Sequence, residues 1–219
     1  MRMPFKVIIT GAKLHFFRIF AAKKFDEMQH NPIIDIFYPE DNALHQLLIH
    51  HSRQVLDKAL EICCRHPELN LDSALVEIGA WVHDIGIRRC HAPGIGCTGD
   101  MPYLLHGIAG GEMLRSYEGA LGVPYSREQL ARFCERHTGT GLVEENFRQR
   151  HIPVPEILTA DPRALCPETE EERVVCYADK FFSKSHPERT RTVEQTARSL
   201  EGFGMAGVHL FLSWAERYE

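Results

Sequence analysis

No Cys-x-x-Cys pair occurs in the chain, although it carries seven cysteines. An odd number without that spacing excludes a zinc ribbon and a closed disulfide framework, so reduced thiols in a cytoplasmic protein are the expectation. No apolar stretch approaches the roughly 20 residues of a membrane span. The N-terminal stretch with Phe16, Phe17, Arg18, Phe20, Lys23 and Lys24 has its apolar run broken by Arg18 and no small-residue cleavage site after it. It therefore makes a poor signal peptide. It reads either as a basic amphipathic helix touching a membrane or a partner, or as an extension packed on the domain. Internal repeats and low-complexity segments are absent, and strand-like character is confined to Val7-Ile8-Ile9. Excess charge is lacking too: 25 basic against 30 acidic residues leave a net −5. Nothing drives the chain generally toward nucleic acid, and a phosphorylated substrate would need local cations or a metal.

What is present is the composition of a soluble globular protein. There are 219 residues, 44% hydrophobic and 25% charged, enough for one substantial core. Thirteen histidines offer ample ligand material. The fold class is expected to be all-α. A segment over Asn31–Tyr38 reads as a linker, giving an N-terminal extension (1–38) and one domain (39–219). Leu44, Leu48, His51, Val55, Ala59 and Ile62 recur at three- and four-residue steps on a helix from about Asn42 to Arg65. A second helix, Asp72 to Ile85, is apolar on most sides and should be buried. Arg88–Tyr103 reads as a loop, followed by a helix over Leu104–Tyr117 whose glycines suggest close backbone approach. Ser126-Arg127-Glu128-Gln129 and Thr169-Glu170-Glu171-Glu172 fit capping boxes that start two more helices. His151–Pro167 between them reads as a proline-spaced loop. Helices over about Thr192–Glu201 and Met205–Arg217 complete the chain.

Five successive helices place His or Asp on their inward faces: His51, His83-Asp84, His106, His137 and Asp179. Burying two carboxylates unpartnered costs several kcal/mol each, and no Arg or Lys lies on those faces to pair with them. A bound cation would remove the penalty. Mixed imidazole and carboxylate donors suit Fe, Mn, Zn or Ni better than Mg or Ca. Four histidines and two aspartates exceed what one catalytic ion needs, whereas two divalent ions sharing Asp84 use all six and leave room for water.

His51, then His83-Asp84-Ile85-Gly86, then Asp179 within Tyr177-Ala178-Asp179-Lys180 resembles the HD superfamily of metal-dependent phosphohydrolases, in its HDIG subgroup. The likeness spans about Asn42 to Ser185. His106 and His137 match the two extra histidines of its dinuclear branches. The segment Glu171–Lys180 is most similar to the bacterial symmetric diadenosine tetraphosphate hydrolases and to uncharacterised small HDIG proteins. No Gly-Tyr-Pro sequence follows His106, which argues against a cyclic-dinucleotide phosphodiesterase. Ile87 stands where many relatives carry Lys or Arg, and the Cys90–Asp100 loop is peculiar to this chain.

The resemblance implies an HD-domain helical bundle with a metal site between its central helices. It also implies hydrolysis of a phosphoester or phosphoanhydride, of nucleotide class, with His83 and Asp84 as the catalytic pair. His51, His83, Asp84 and Asp179 would hold the first ion, and Asp84, His106 and His137 the second, with an activated water as nucleophile. Lys180 is placed either to contact phosphate or to turn to solvent. Arg88, Arg89 and His91 are placed to reach a phosphate from the loop after the HD pair, or to be solvated. A metal-stabilised sensor or scaffold is the competing function.

Overall fold

A computed structural model of the protein describes residues 30–219. The aromatic and basic N-terminal stretch and the Val7-Ile8-Ile9 run lie outside them.

The longest helix, α2 (Ala43–Arg65), is started by the Asn42 side chain, which accepts from His45 N. It buries Leu48, His51, Val55, Ala59 and Ile62 on one face, as the periodicity predicts. A shorter helix precedes it: α1 (Ile33–Phe37), with Ile33, Ile34 and Phe37 buried. The segment expected as a linker is thus part of the core, because its apolar residues cluster on one helical turn. Tyr38 reinforces the seam by donating its hydroxyl proton to Ile85 O at 2.8 Å. Pro32–Glu219 accordingly forms one packed body, which begins ahead of the boundary expected at Pro39.

Helix α3 (Ser73–Val82) is capped by Asp72, whose carboxylate accepts from Ala74 N and Leu75 N. It is buried over Val76 and Ile78 to Val82, so full burial of Trp81 alone contributes roughly 2–3 kcal/mol. The helix ends earlier than the apolar run suggests. His83 is its C-cap, Asp84 follows with φ −109° and ψ 6°, and Ile85–Arg89 tightens into a 3₁₀ turn. Antiparallel strands β1 (His91–Ala92) and β2 (Cys97–Thr98) then form a small hairpin where a plain loop was expected.

Helices α4 (His106–Ser116) and α5 (Arg127–Arg136) lie against each other, and the Ser126–Gln129 capping box starts α5. Their backbones touch: a Cβ added to Gly107 would stand 2.4 Å from Cys134 O. The stretch after α5 carries α6 (Glu144–Arg148) and α7 (Glu156–Ala160). Leu142, Phe147, Leu158, Ala164 and Leu165 give this proline-spaced region a small core of its own.

Helix α8 (Glu170–Asp179), with its Thr169–Glu172 capping box, packs on α2, α3 and α5. Helices α9 (Val193–Leu200) and α10 (Met205–Tyr218) close the body, with Tyr177 stacked on Phe211 at 5.1 Å. Among the described residues the architecture is all-α apart from the two-residue strands, and no helix is long and apolar enough to cross a membrane.

One buried ion pair locks α5 to α8. Arg136 Nη1 lies 3.1 Å from Glu172 Oε2 and 2.8 Å from Glu168 Oε2, while its Nε donates to Ala164 O. Arg136→Ala leaves Glu172 as a buried carboxylate without its cation. We expect a loss of about 3 kcal/mol in urea unfolding.

Candidate metal centre

Three of the four helix-bound histidines sit at helix ends rather than in mid-helix. His83 and His137 are the C-caps of α3 and α5, and His106 opens α4. Asp179 is the last residue of α8, and only His51 lies mid-helix, on α2. Three helix C-termini therefore face the same point. Their negative dipole ends favour a cation there.

The helix ends also set the rings. His83 Nδ1 donates to Ala80 O at 2.7 Å, His106 Nδ1 to Tyr103 O at 2.6 Å, and His137 Nδ1 to Cys134 O at 2.6 Å. A carbonyl only accepts, so Nδ1 holds a proton, and in the neutral form of each ring Nε2 is the atom that carries the lone pair. Tyr103 stacks on the His106 ring at 4.7 Å and keeps it in place.

These nitrogens converge on Asp84, which is fully buried. Its two oxygens serve different sets. Oδ2 lies 3.1 Å from His51 Nε2 and 3.0 Å from His83 Nε2, with Asp179 Oδ1 2.9 Å from His51 Nε2. Oδ1 lies 3.4 Å from His106 Nε2 and 3.3 Å from His137 Nε2. The structure thus brings all six expected ligands together as two groups, His51/His83/Asp84/Asp179 and Asp84/His106/His137.

The protonation pattern differs between the groups. Burial works against charge on His83, but Asp84 and Asp179 outweigh it and push that ring up to about 9. Burial, joined by the neighbouring His137, drives His106 down to about 3, and burial lowers His137 as well. The His106 and His137 Nε2 atoms are nevertheless 2.9 Å apart. Two lone pairs and a carboxylate oxygen meet there with no proton between them. Neither Asp84 oxygen accepts a well-formed hydrogen bond among the described residues. Such a set of buried donors fits a divalent cation, which would remove the lone-pair repulsion and add charge compensation on the Oδ1 side of the buried carboxylate.

The expectation that no base pairs with the carboxylates is overturned. Lys180 Nζ lies 2.6 Å from Asp179 Oδ2 and donates to His137 O at 2.6 Å, so it is buried in the site rather than turned to solvent. Lys184, which the sequence reading passes over, places Nζ 2.5 Å from Asp84 Oδ2. Against the cost of burial, Lys184 and His83 hold the Asp84 carboxyl well below the usual range, as Lys180 and His51 do for Asp179. Both lysines come from the turn after α8, off the helix faces that periodicity reads.

A cavity of about 430 Å³ opens beside the second group. His106, His137, Thr138 and Asp179 form its floor, Lys180, Lys184 and Arg191 its cationic side, and Tyr103, Phe182 and Phe203 its aromatic walls. Arg88, Arg89 and His91 are not brought to it, a correction to the expected phosphate contacts. The 3₁₀ turn after Asp84 sends Arg88 over the Tyr38 ring and onto Phe37 O, and Arg89 onto Glu112 at 2.7 Å. His91 is exposed on β1.

The HD domain family matches residues 48–183, more than half of the chain and the whole of the two ligand groups. The chain belongs to the HD-domain family. An uncharacterised protein of Methanocaldococcus jannaschii is 29% identical to this HD-domain protein over 143 residues, covering 64% of this chain and 69% of that one. Proteins named tRNA (cytidine(56)-2'-O)-methyltransferase are 27% identical in Picrophilus torridus and 29% identical in Thermoplasma volcanium. Those matches cover 71% and 76% of this chain but only 40% and 42% of theirs, so the chain spans less than half of either. No solved structure matches.

Proposed function

We propose that the protein is a metal-dependent phosphohydrolase cleaving a phosphoester or phosphoanhydride of a small substrate, of nucleotide class. The observation that carries this is Asp84, whose two oxygens each face a separate histidine pair, one of which, His106 and His137, lines a cationic, aromatic-walled cavity. His51, His83, Asp84 and Asp179 would hold one ion, and Asp84, His106 and His137 a second, drawn from Fe, Mn, Zn or Ni. Divalent ions bound there would neutralise charge on phosphoryl oxygens and activate an attacking water.

The chain's own residues supply the preorganisation. The carbonyls of Ala80, Tyr103 and Cys134 fix the tautomer and the aim of three rings before anything binds. Lys180, tied to His137 O, places a positive charge beside the reacting position, and the low-dielectric surroundings strengthen it. The cavity volume falls within the range of small-molecule sites, and Tyr103, Phe182 and Phe203 offer flat faces for a base.

Metal analysis of the purified protein, with a hydrolysis screen over nucleoside mono-, di- and triphosphates and dinucleoside polyphosphates, tests the proposal. Turnover that requires the metal supports it. A fully loaded but inert protein would instead make the site a metal-stabilised scaffold. His106→Ala separates one ion from two: it removes a donor that faces only Asp84 Oδ1, so we expect it to retain one ion per chain and lose the second. Retention of two ions by His106→Ala would refute the dinuclear assignment.

A further inference from the structure

Three cations line the cavity, and they differ in what already holds them. Arg191 is spent on backbone, with Nη1 donating to Lys180 O at 3.3 Å and Phe182 O at 3.4 Å. Lys180 rests on Asp179 Oδ2, and Asp179 has its other oxygen, Oδ1, toward His51 and His83. That carboxylate divides its duties without conflict. Asp84 does not. Its Oδ1 faces His106 and His137, its Oδ2 faces His51 and His83, and Lys184 claims Oδ2 as well. Three positively charged or metal-holding positions compete for two oxygens.

An ion held between His51 and His83 would draw on Asp84 Oδ2, and the Lys184 ammonium 2.5 Å from that same oxygen would then face a like charge of two units across it. The Lys184 side chain is only 11% exposed, so it has few directions in which to withdraw. The one marked by the lining residues is the cavity, where Lys184 already forms part of the wall between Ser183 and Ser185. A buried ammonium deprived of its carboxylate is costly until another anion replaces it.

We propose that Lys184 is a displaceable cation: an ion entering the His51/His83 position takes Asp84 Oδ2 from it, and its ammonium swings into the cavity to bind a phosphate oxygen of the substrate. This inference rests on the phosphohydrolase reading of the site and adds to it a coupling between metal and substrate. Lys184 acts against the metal and for the phosphate, so removing it should shift the two affinities in opposite directions. Loss of a merely structural contact would weaken both or neither.

Titrating Mn²⁺ alone into metal-stripped wild type and Lys184→Met, then inorganic phosphate into the two loaded proteins, reads both signs. In Lys184→Met the Mn²⁺ affinity is expected to rise and the phosphate affinity to fall, each by about tenfold, the scale of one charge-assisted hydrogen bond. Circular dichroism checks the fold, and Lys184→Gln carries the same comparison if the methionine variant does not fold. Unchanged or weaker Mn²⁺ binding in the variant would overturn the competition, and unchanged phosphate binding would overturn the delivery. Wild type that takes up none of Mn²⁺, Fe²⁺, Zn²⁺ and Ni²⁺ would sink the phosphohydrolase reading and this inference with it. A wild type that loads normally, beside a variant that binds no more tightly, sinks this inference alone.

Discussion

Asp84→Asn is expected to cost both ions and to lower hydrolysis by at least about a thousandfold, the loss of the several kcal/mol that ions contribute to a phosphoryl transition state. Asp84 Oδ2 stands 3.0 Å from His83 Nε2 and Oδ1 3.3 Å from His137 Nε2, so one substitution takes the shared charge from both groups and puts an NH₂ in place of the oxygen facing one of them. The amide keeps the volume but offers one oxygen and no charge. Elemental analysis beside a turnover assay makes the measurement, with His106→Ala as the contrast that should give up a single ion. Two ions retained at full occupancy in Asp84→Asn would remove the shared-carboxylate geometry from the account. The metal-stripped variant has a second expected defect: Lys184 loses its carboxylate while buried. Urea unfolding should show about 3 kcal/mol less stability than stripped wild type.

Gly86→Ala should be the most damaging change outside the ligands. A Cβ at this position would stand 2.0 Å from His106 O and 2.3 Å from Gly110 N. Both are backbone atoms, so no rotamer change relieves the overlap, and the 3₁₀ turn must part from α4. Overpacking of this kind costs about 3 kcal/mol. The separation also draws Asp84 away from His106, so the second ion should be lost before the first. Thermal unfolding and metal content measured on the same sample test both effects. Gly94→Ala is the internal control, because nothing lies within 4 Å of a Cβ there. A Gly86 variant as stable as that control would show that the turn and α4 can move apart freely.

The parts of the fold legible in the sequence are those set by neighbouring residues. Ser126 with Gln129 and Thr169 with Glu172 form capping boxes where the residue types announce them, because a cap is a contact across three positions. The inward face of α2 is legible for the same reason. The C-terminal limit of α3 is not. Trp81 to Ile85 continues the apolar pattern past the last helical residue, and only the approach of α4 to Gly86 explains the tightening into a 3₁₀ turn. Periodicity put His83 and Asp84 about 100° apart on one helix, whereas their convergence comes from the chain leaving the helix between them.

The ligands were legible as a set because buried histidines and aspartates need partners, and six such residues on inward faces are hard to satisfy otherwise. The cations were not. Arg88 and Arg89 follow the HD pair in sequence and are turned away by the local backbone, while Lys184 lies 100 positions from Asp84 and reaches it through the fold. A lysine is ordinarily solvated, so its residue type carries no signal of burial. The available clue was the charge balance: two buried carboxylates called for positive groups, and the turn after α8 holds two lysines within five residues.

His51 and Asp179, whose side chains are 2.9 Å apart, are separated by 128 positions in the chain. An ion gripped by both would work as a clasp on a long polymer, closing in one step a loop that contains most of the domain. Such a clasp has no counterpart in the unfolded chain. At a hundred times its dissociation constant it would therefore add about 2.7 kcal/mol to the folded state. The protein's endurance would then be set by the metal supply of its surroundings as much as by its own packing.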